Sequence, residues 1–148
     1  MLKVDGVRLT PLKHIMVPDG DVFHAMKNCD PGYDGFGEAY FSTIESGSIK
    51  AWKRHNTMIL NLVVPIGAIR FVVYDDRDNS LTYDKFYEVT LSRKKYSRLT
   101  LPPKVWMGFQ CMSNETAMLL NIANIPHNPN ETDKKGIEKI MFDWSLKK

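Results

Sequence analysis

Apolar positions along this chain fall in short alternating runs separated by turn residues, and long helical periods are scarce. The stretches "MILNLVV" (58–64) and "AIRFVVY" (68–74) are dense in aliphatic and β-branched residues. Between them, Pro65-Ile66-Gly67 suits a type I turn, so the two runs are expected to form a hairpin. The polar cluster from Asp75 to Ser80 ends the second run, after which "LTYDKFYEVTL" (81–91) alternates with Leu81, Tyr83, Lys85, Tyr87, Val89 and Leu91 on one face. "RLTLPPKVWMGFQCM" (98–112) reads as strand material broken by Pro102-Pro103, and "TAMLLNIANI" (116–125) as a strand that stops at Pro126. Nearer the start, "VDGVRL" (4–9) predicts a tight turn, followed by strand patterns in "DVFHAMK" (21–27) and "FGEAYFSTI" (36–44). Seven or more short strands at this spacing predict an all-β sandwich or barrel.

A helical spacing occurs in the tail, where Ile137, Ile140, Met141 and Trp144 sit at i, i+3, i+4 and i+7. That segment is short enough to be either a two-turn helix or an extended strap. No repeat, linker or low-complexity tract divides the 148 residues, so a single domain over 1–148 is expected.

Composition removes several function classes. Twenty Lys and Arg against 17 Asp and Glu give a net charge of +3 with both signs interspersed, which is no footprint for tracking a nucleic-acid backbone. The opening Met1-Leu2-Lys3-Val4-Asp5 has no apolar leader core, and no run approaches a membrane span, so a cytoplasmic protein without membrane attachment is expected. Cys29 and Cys111 stand alone, in keeping with a reducing compartment. His14, His24, His55 and His127 show none of the spacings that bring two metal ligands onto one face, and no metal site is expected. Glycine-rich phosphate loops and the G-x-S-x-G elbow are missing; "GYDGFGEAY" (32–40) leads into a strand pattern and reads as a turn.

The chemically richest stretch is "GSIKAWKRH" (47–55), with Lys50, Lys53, Arg54 and His55 around Trp52. Strict alternation would put Ile49, Ala51, Lys53 and His55 on one face and Lys50, Trp52 and Arg54 on the other. Whichever face turns inward carries charge into the sheet, which is costly unless the interior is a hydrated pocket with an anionic guest. A solvated edge strand is the competing reading.

Taken in order, "FGEAYFSTIESGSIKAWKRH", "LVVPIGAIRFVVYDDR", "LTLPPKVWMGF" and "NIANIPHNPNE" resemble the small cupin-type sugar epimerases related to dTDP-4-dehydrorhamnose 3,5-epimerase, over about residues 36–144. The resemblance implies a cupin-like jelly roll, usually a homodimer, that needs no metal or organic cofactor. It implies a nucleotide-diphosphate sugar as substrate, with a proton removed at C3 or C5 beside a C4 carbonyl and returned from the opposite face. That chemistry needs a base, an opposing acid and groups that hold the developing oxyanion. The cation cluster would then line a pocket for an anionic sugar nucleotide.

The family strand Arg-Gly-Leu-His-x-Gln falls on Lys50-Ala51-Trp52-Lys53-Arg54-His55, which puts Lys53 at the position of the family's basic histidine. The acid tyrosine falls on Asn121 and a turn histidine on Met107, whereas Asp75 and Arg77 match the family's Asp-x-Arg strand end. Three readings follow. His55 is the base, with Lys53 at the enolate or phosphate and Tyr40 or Tyr74 as acid; or a buried Lys53 is itself the base; or catalysis has been lost and the fold binds a sugar nucleotide or assists a partner enzyme. Catalytic candidates are therefore His55, Lys53, Asp75 and Tyr74, and substrate-binding candidates are Glu38, Tyr40, Ser42, Lys50, Trp52, Arg54, Trp106 and Asn121. Both tryptophans equally suit a packed core, and His127 suits a surface turn.

Overall fold

The computed structural model describes residues 3–146; Met1 and Leu2 of the opening segment read above lie outside the described residues. Among the described residues twelve strands follow one another: β1 (Arg8–Pro11), β2 (His14–Ile15), β3 (Val22–Phe23), β4 (Glu38–Ile44), β5 (Ile49–His55), β6 (Leu60–Ile66), β7 (Ala68–Asp75), β8 (Lys85–Ser92), β9 (Ser97–Leu101), β10 (Trp106–Cys111), β11 (Ala117–Ala123) and β12 (Thr132–Lys134). Two five-stranded antiparallel sheets, ordered β1-β9-β6-β11-β4 and β12-β5-β10-β7-β8, face each other as a jelly-roll sandwich, and β2 pairs with β3 in a small hairpin.

The expected hairpin between 58–64 and 68–74 is not formed. β6 and β7 follow one another in the chain but lie in different sheets, so the turn carries the chain across the sandwich. Gly67 makes the crossing with φ +81°, and a Cβ there would come 2.8 Å from the Ala117 Cβ. Pro65 sits where the β6–β11 register slips, a place where a missing N–H does little harm. Pro102-Pro103 likewise separates β9 in one sheet from β10 in the other.

Alternation sorts the side chains. Ile69, Phe71 and Val73 of β7, Leu60, Leu62 and Val64 of β6, and Leu119 of β11 point between the sheets and build the main core. On the outside of the second sheet, Trp52, Val72 and Trp106 form a separate buried cluster with Ile140, against which Phe142 and Trp144 pack. The tail that supplies those residues is one 3₁₀ turn (Ile137–Lys139) followed by an extended strap, so the helical spacing marks side chains that pack without a helix. Outside the first sheet, the Arg98 guanidinium is fully buried and donates to the Ala25 and Pro31 carbonyls and to Asn61, pinning the 24–36 segment. Among the described residues, no helix is long and apolar enough to cross a membrane.

Candidate active site

One end of the sandwich interior is open. There β5 and β10 of one sheet face β4 and β11 of the other, leaving a cavity of about 360 Å³. Tyr40, Ser42, Lys50, Lys53, His55, Met107, Phe109, Leu119, Asn121 and Lys134 are among the residues lining it.

The local register explains which members of the cation cluster reach this cavity. Trp106 pairs with Arg54 and Met107 with Lys53, but Phe109 pairs with Lys50, so β5 gains a residue opposite Gly108. The bulge reverses the alternation: Lys50 joins Lys53 and His55 toward the cavity, and Ala51 packs outward against the cluster around Trp52. Gly108 leaves room for this, because a Cβ there would lie 2.7 Å from the Ala51 Cβ and 2.9 Å from the Trp144 ring.

His55 is held by a residue that sequence reasoning did not single out, Glu131. Its Oε1 accepts from the His55 Nδ1, while Oε2 accepts from the backbone N–H groups of Asn56, Thr57 and Met58 and from the Thr57 hydroxyl. The only hint in the sequence is its place at the end of "NIANIPHNPNE", 76 residues from its partner. Burial alone would raise the Glu131 carboxyl, but the His55 bond and the Thr57 and Met58 amides outweigh it and hold the group below its ordinary value. With Nδ1–H committed to a carboxylate, the Nε2 lone pair is left to take a proton. Burial pushes His55 below its ordinary value, opposed by Glu131 and assisted by Lys53 and His127, so the imidazole is neutral at physiological pH.

Lys53 lies two positions from His55 and directly opposite Lys134 in the β12 register. Burial lowers its amine, and Lys134 adds to the effect against weaker opposition from Glu131 and Glu38. Lys50 sits at the rim, donating to the Thr43 carbonyl at 3.1 Å. Across the cavity, Tyr40 and Asn121 are direct partners in the β4–β11 register, and Asn121 donates to the Ser42 hydroxyl at 3.1 Å. Glu38 follows the same inward alternation on β4 and pushes the Tyr40 phenol up, secondary to burial.

Several candidates do not reach the cavity. Asp75 is fully buried in a turn network, accepting from Arg77, Ser80 and Thr82; burial opposes its ionisation, but these bonds hold the carboxyl well below its usual range. It fixes the turn after β7. Tyr74 points to the outer face, stacks on Phe86 and donates to Asp84 at 3.0 Å, with its phenol pushed up to about 12, by burial first and then by Asp84. Trp106 is a core residue of the outer cluster and donates to Asp76 at 2.8 Å, whereas Trp52 belongs to the same cluster and still forms part of the cavity lining. Arg54 lies over the Trp106 ring at 4.6 Å and pairs with Asp133 and Asp76. A larger hollow of about 620 Å³ opens beside Arg54 and Arg77, but both guanidiniums there are already paired with carboxylates, and the hollow contains no histidine. Among the described residues, no three His, Cys, Asp or Glu converge as metal ligands would.

Comparison with known proteins places this jelly roll, with an oriented histidine, a lysine and a tyrosine lining its open end, in the sugar-epimerase and isomerase class of enzymes. The match is to a particular family within that class. The model of the family described as dTDP-4-dehydrorhamnose 3,5-epimerase matches residues 52–144, well over half of the sequence, and the chain belongs to that family. The crystal structure of a dTDP sugar isomerase from Desulfovibrio desulfuricans is 37% identical and superimposes with a TM-score of 0.92 over 95% of this chain and 92% of that one. The Mycobacterium tuberculosis rmlC epimerase shares the fold, with a TM-score of 0.80 at 15% identity over 90% of this chain and 70% of that one. Among curated relatives, the spore coat polysaccharide biosynthesis protein SpsL of Bacillus subtilis is 24% identical over 96% of this chain and 97% of its own. The probable low-salt glycan biosynthesis epimerase Agl13 of Haloferax volcanii is 28% identical over 71% of this chain and 66% of its own length.

Proposed function

We propose that the chain epimerises a nucleotide-linked 4-keto-6-deoxy sugar at C3, C5 or both, in the synthesis of a surface polysaccharide or glycan. The observation that carries the reading is the His55–Glu131 pair aimed into a cavity whose opposite wall bears Tyr40. Facing sheets stand about 10 Å apart, so a sugar ring between them has the imidazole on one face and the phenol on the other. Inversion needs this arrangement. His55 Nε2 removes the proton beside the carbonyl, Lys53 faces the carbonyl where electron density collects, and Tyr40 returns a proton from the far side. Glu131 acts through His55, fixing its tautomer and favouring the imidazolium that forms. Asn121 and Ser42 hold sugar hydroxyls, and Lys50 and Lys134 at the rim meet the diphosphate.

Family membership and the names of the relatives support this substrate class. The same reading takes the protein to be a cytoplasmic homodimer. Edge strand β4 presents Phe41 at 62% exposure beside Phe36 at 65%, apolar surface that a second copy would cover. The test is NMR analysis of products from dTDP- and GDP-linked 4-keto-6-deoxy sugars. Inverted configuration at C3 or C5 supports the reading; tight binding with no change in any donor would leave a sugar-binding jelly roll.

A further inference from the structure

The strap that crosses the outer face of the second sheet touches the backbone feature that aims Lys50. Trp144 lies across Gly108, with the benzo edge of its indole, Cζ2 and Cη2, 2.9 Å from where a Gly108 Cβ would stand. The Ala51 Cβ meets the same point from β5 at 2.7 Å. Here Ala51 and Trp52 together oppose the single residue Gly108, forming the bulge that reverses alternation and brings Lys50 to the cavity. A bulge gives up ladder bonds, and the chain leading into the strap makes them good. The Trp52 N–H donates to the Lys135 carbonyl at 2.9 Å, and the Lys135 N–H donates to the Trp52 carbonyl at 3.1 Å. The Trp144 ring sits beside Trp52 and Phe142 at centroid distances of 5.4 and 5.0 Å, and its carbonyl accepts from Arg70 at 3.4 Å. Among the described residues its Nε1–H is buried without an acceptor, a cost that a phenylalanine would avoid. A phenyl ring, however, lacks the benzo edge that fills the gap over Gly108.

We propose that Trp144 is a positioning residue for substrate binding: seated over Gly108, it locks the β5 bulge and keeps Lys50 aimed into the cavity, where the ammonium meets the diphosphate. The inference rests on the sugar-nucleotide reading above. Without the bulge, strict alternation would return Lys50 to the outer face with Trp52 and Arg54. Trp144 packs on that outer face, in the cluster with Trp52 and Ile140, so it acts through Gly108, Ala51 and the strand register.

The consequence is a split between binding and chemistry. On the His55 side of the bulge the register is regular, Met107 with Lys53 and Trp106 with Arg54, and β12 pairs there from the other edge. Glu131 holds the imidazole independently of the strap's rings. Lys50, on the far side of the bulge, donates to the Thr43 carbonyl at 3.1 Å. A phosphate oxygen is a stronger acceptor for an ammonium than a neutral carbonyl, so a bound diphosphate takes over that bond.

The experiment titrates the full chain with dTDP and with GDP by calorimetry and carries the tighter nucleotide into Lys50→Ala, Trp144→Ala and the double variant, each with its melting curve. KM and kcat are measured in parallel with the matching 4-keto-6-deoxy sugar nucleotide. Lys50→Ala should weaken nucleotide binding by about tenfold to a hundredfold. Trp144→Ala should weaken it by a similar factor and raise KM in step, with kcat within about twofold. Once Lys50 is already alanine, Trp144→Ala should add less than about twofold. If Trp144→Ala does not fold, Trp144→Phe, which keeps a ring beside Trp52 but falls short of Gly108, is expected to show the same pattern. Unchanged affinity in a folded Trp144 variant, an effect that adds in full to that of Lys50→Ala, or a loss confined to kcat overturns the positioning role and leaves the epimerase reading standing. The predicted binding pattern without turnover in wild type upholds the positioning role and overturns the epimerase reading. Binding of neither nucleotide by wild type overturns both.

Discussion

The two faces of β5 make opposite use of similar residues. Outward, Trp52 and Arg54 are fully engaged: the indole is 2% exposed beneath the tail, and the guanidinium is stacked and ion-paired. Inward, His55 is fixed at Nδ1 by Glu131, and among the described residues no hydrogen bond ties down the Lys53 amine, which lines the cavity beside it. Satisfied groups hold a structure together, whereas oriented and unsatisfied ones are poised to react. The same contrast separates Tyr74, bonded to Asp84 on the outside, from Tyr40, which lines the cavity.

Mutations on the two faces sharpen the contrast, and the largest effect is expected inside. His55→Asn should lower deuterium uptake by about 10²–10⁴-fold with little change in melting temperature. Trp52→Ala should do the reverse, costing about 3–5 kcal/mol of folding stability in urea unfolding while the folded fraction still turns over. Asp75→Asn belongs with the structural set, at about 3–5 kcal/mol for breaking a buried pair. Because the folded Asp75 carboxyl titrates below its unfolded value of 3.8, its contribution is fully present above that value. It is lost as pH falls below 3.8, so the wild-type advantage over Asp75→Asn should vanish in strong acid.

The next effect is smaller and acts through a neighbour. Glu131 opposes the lowering of His55, so Glu131→Gln should move the acid limb of the pH–rate profile to still lower pH. It should also weaken the base, reducing kcat by about 10–100-fold. In wild type the acid limb should already lie below the ordinary histidine value of 6.5, since burial favours the neutral ring. Least affected is Tyr74→Phe, which removes one exposed hydrogen bond: stability should change by about 1 kcal/mol or less and turnover should not change.

Much of the architecture was legible because alternation and turn chemistry report which residues pair and where strands end. The sandwich, the shared face of Lys53 and His55, and the break at Pro102-Pro103 follow from those signals, whereas alternation alone left open which face of β5 turns inward. The side taken by Lys50 and Ala51 does not. A one-residue bulge reverses faces from that point, and its cause lies across the sheet at Gly108 and Trp144. The hairpin expected across Pro65-Ile66-Gly67 fails for a related reason: a turn sequence fixes a change of direction, but not which sheet receives the next strand. Asp75 and Tyr74 had the right residue types beside the right motif, yet the parity of β7 sends one into a turn network and the other to the outer surface. Glu131 could not be found by pattern, since its partner is remote in sequence and only the fold joins them.

The most direct test measures solvent deuterium entering C3 or C5 of a dTDP-linked 4-keto-6-deoxy sugar in wild type, His55→Asn and Tyr74→Phe, each first shown to be folded by its melting curve. The account predicts uptake in wild type and Tyr74→Phe and its near loss in His55→Asn. Undiminished uptake in His55→Asn, or its loss in Tyr74→Phe, would contradict the claim that the inner face of β5 carries the chemistry.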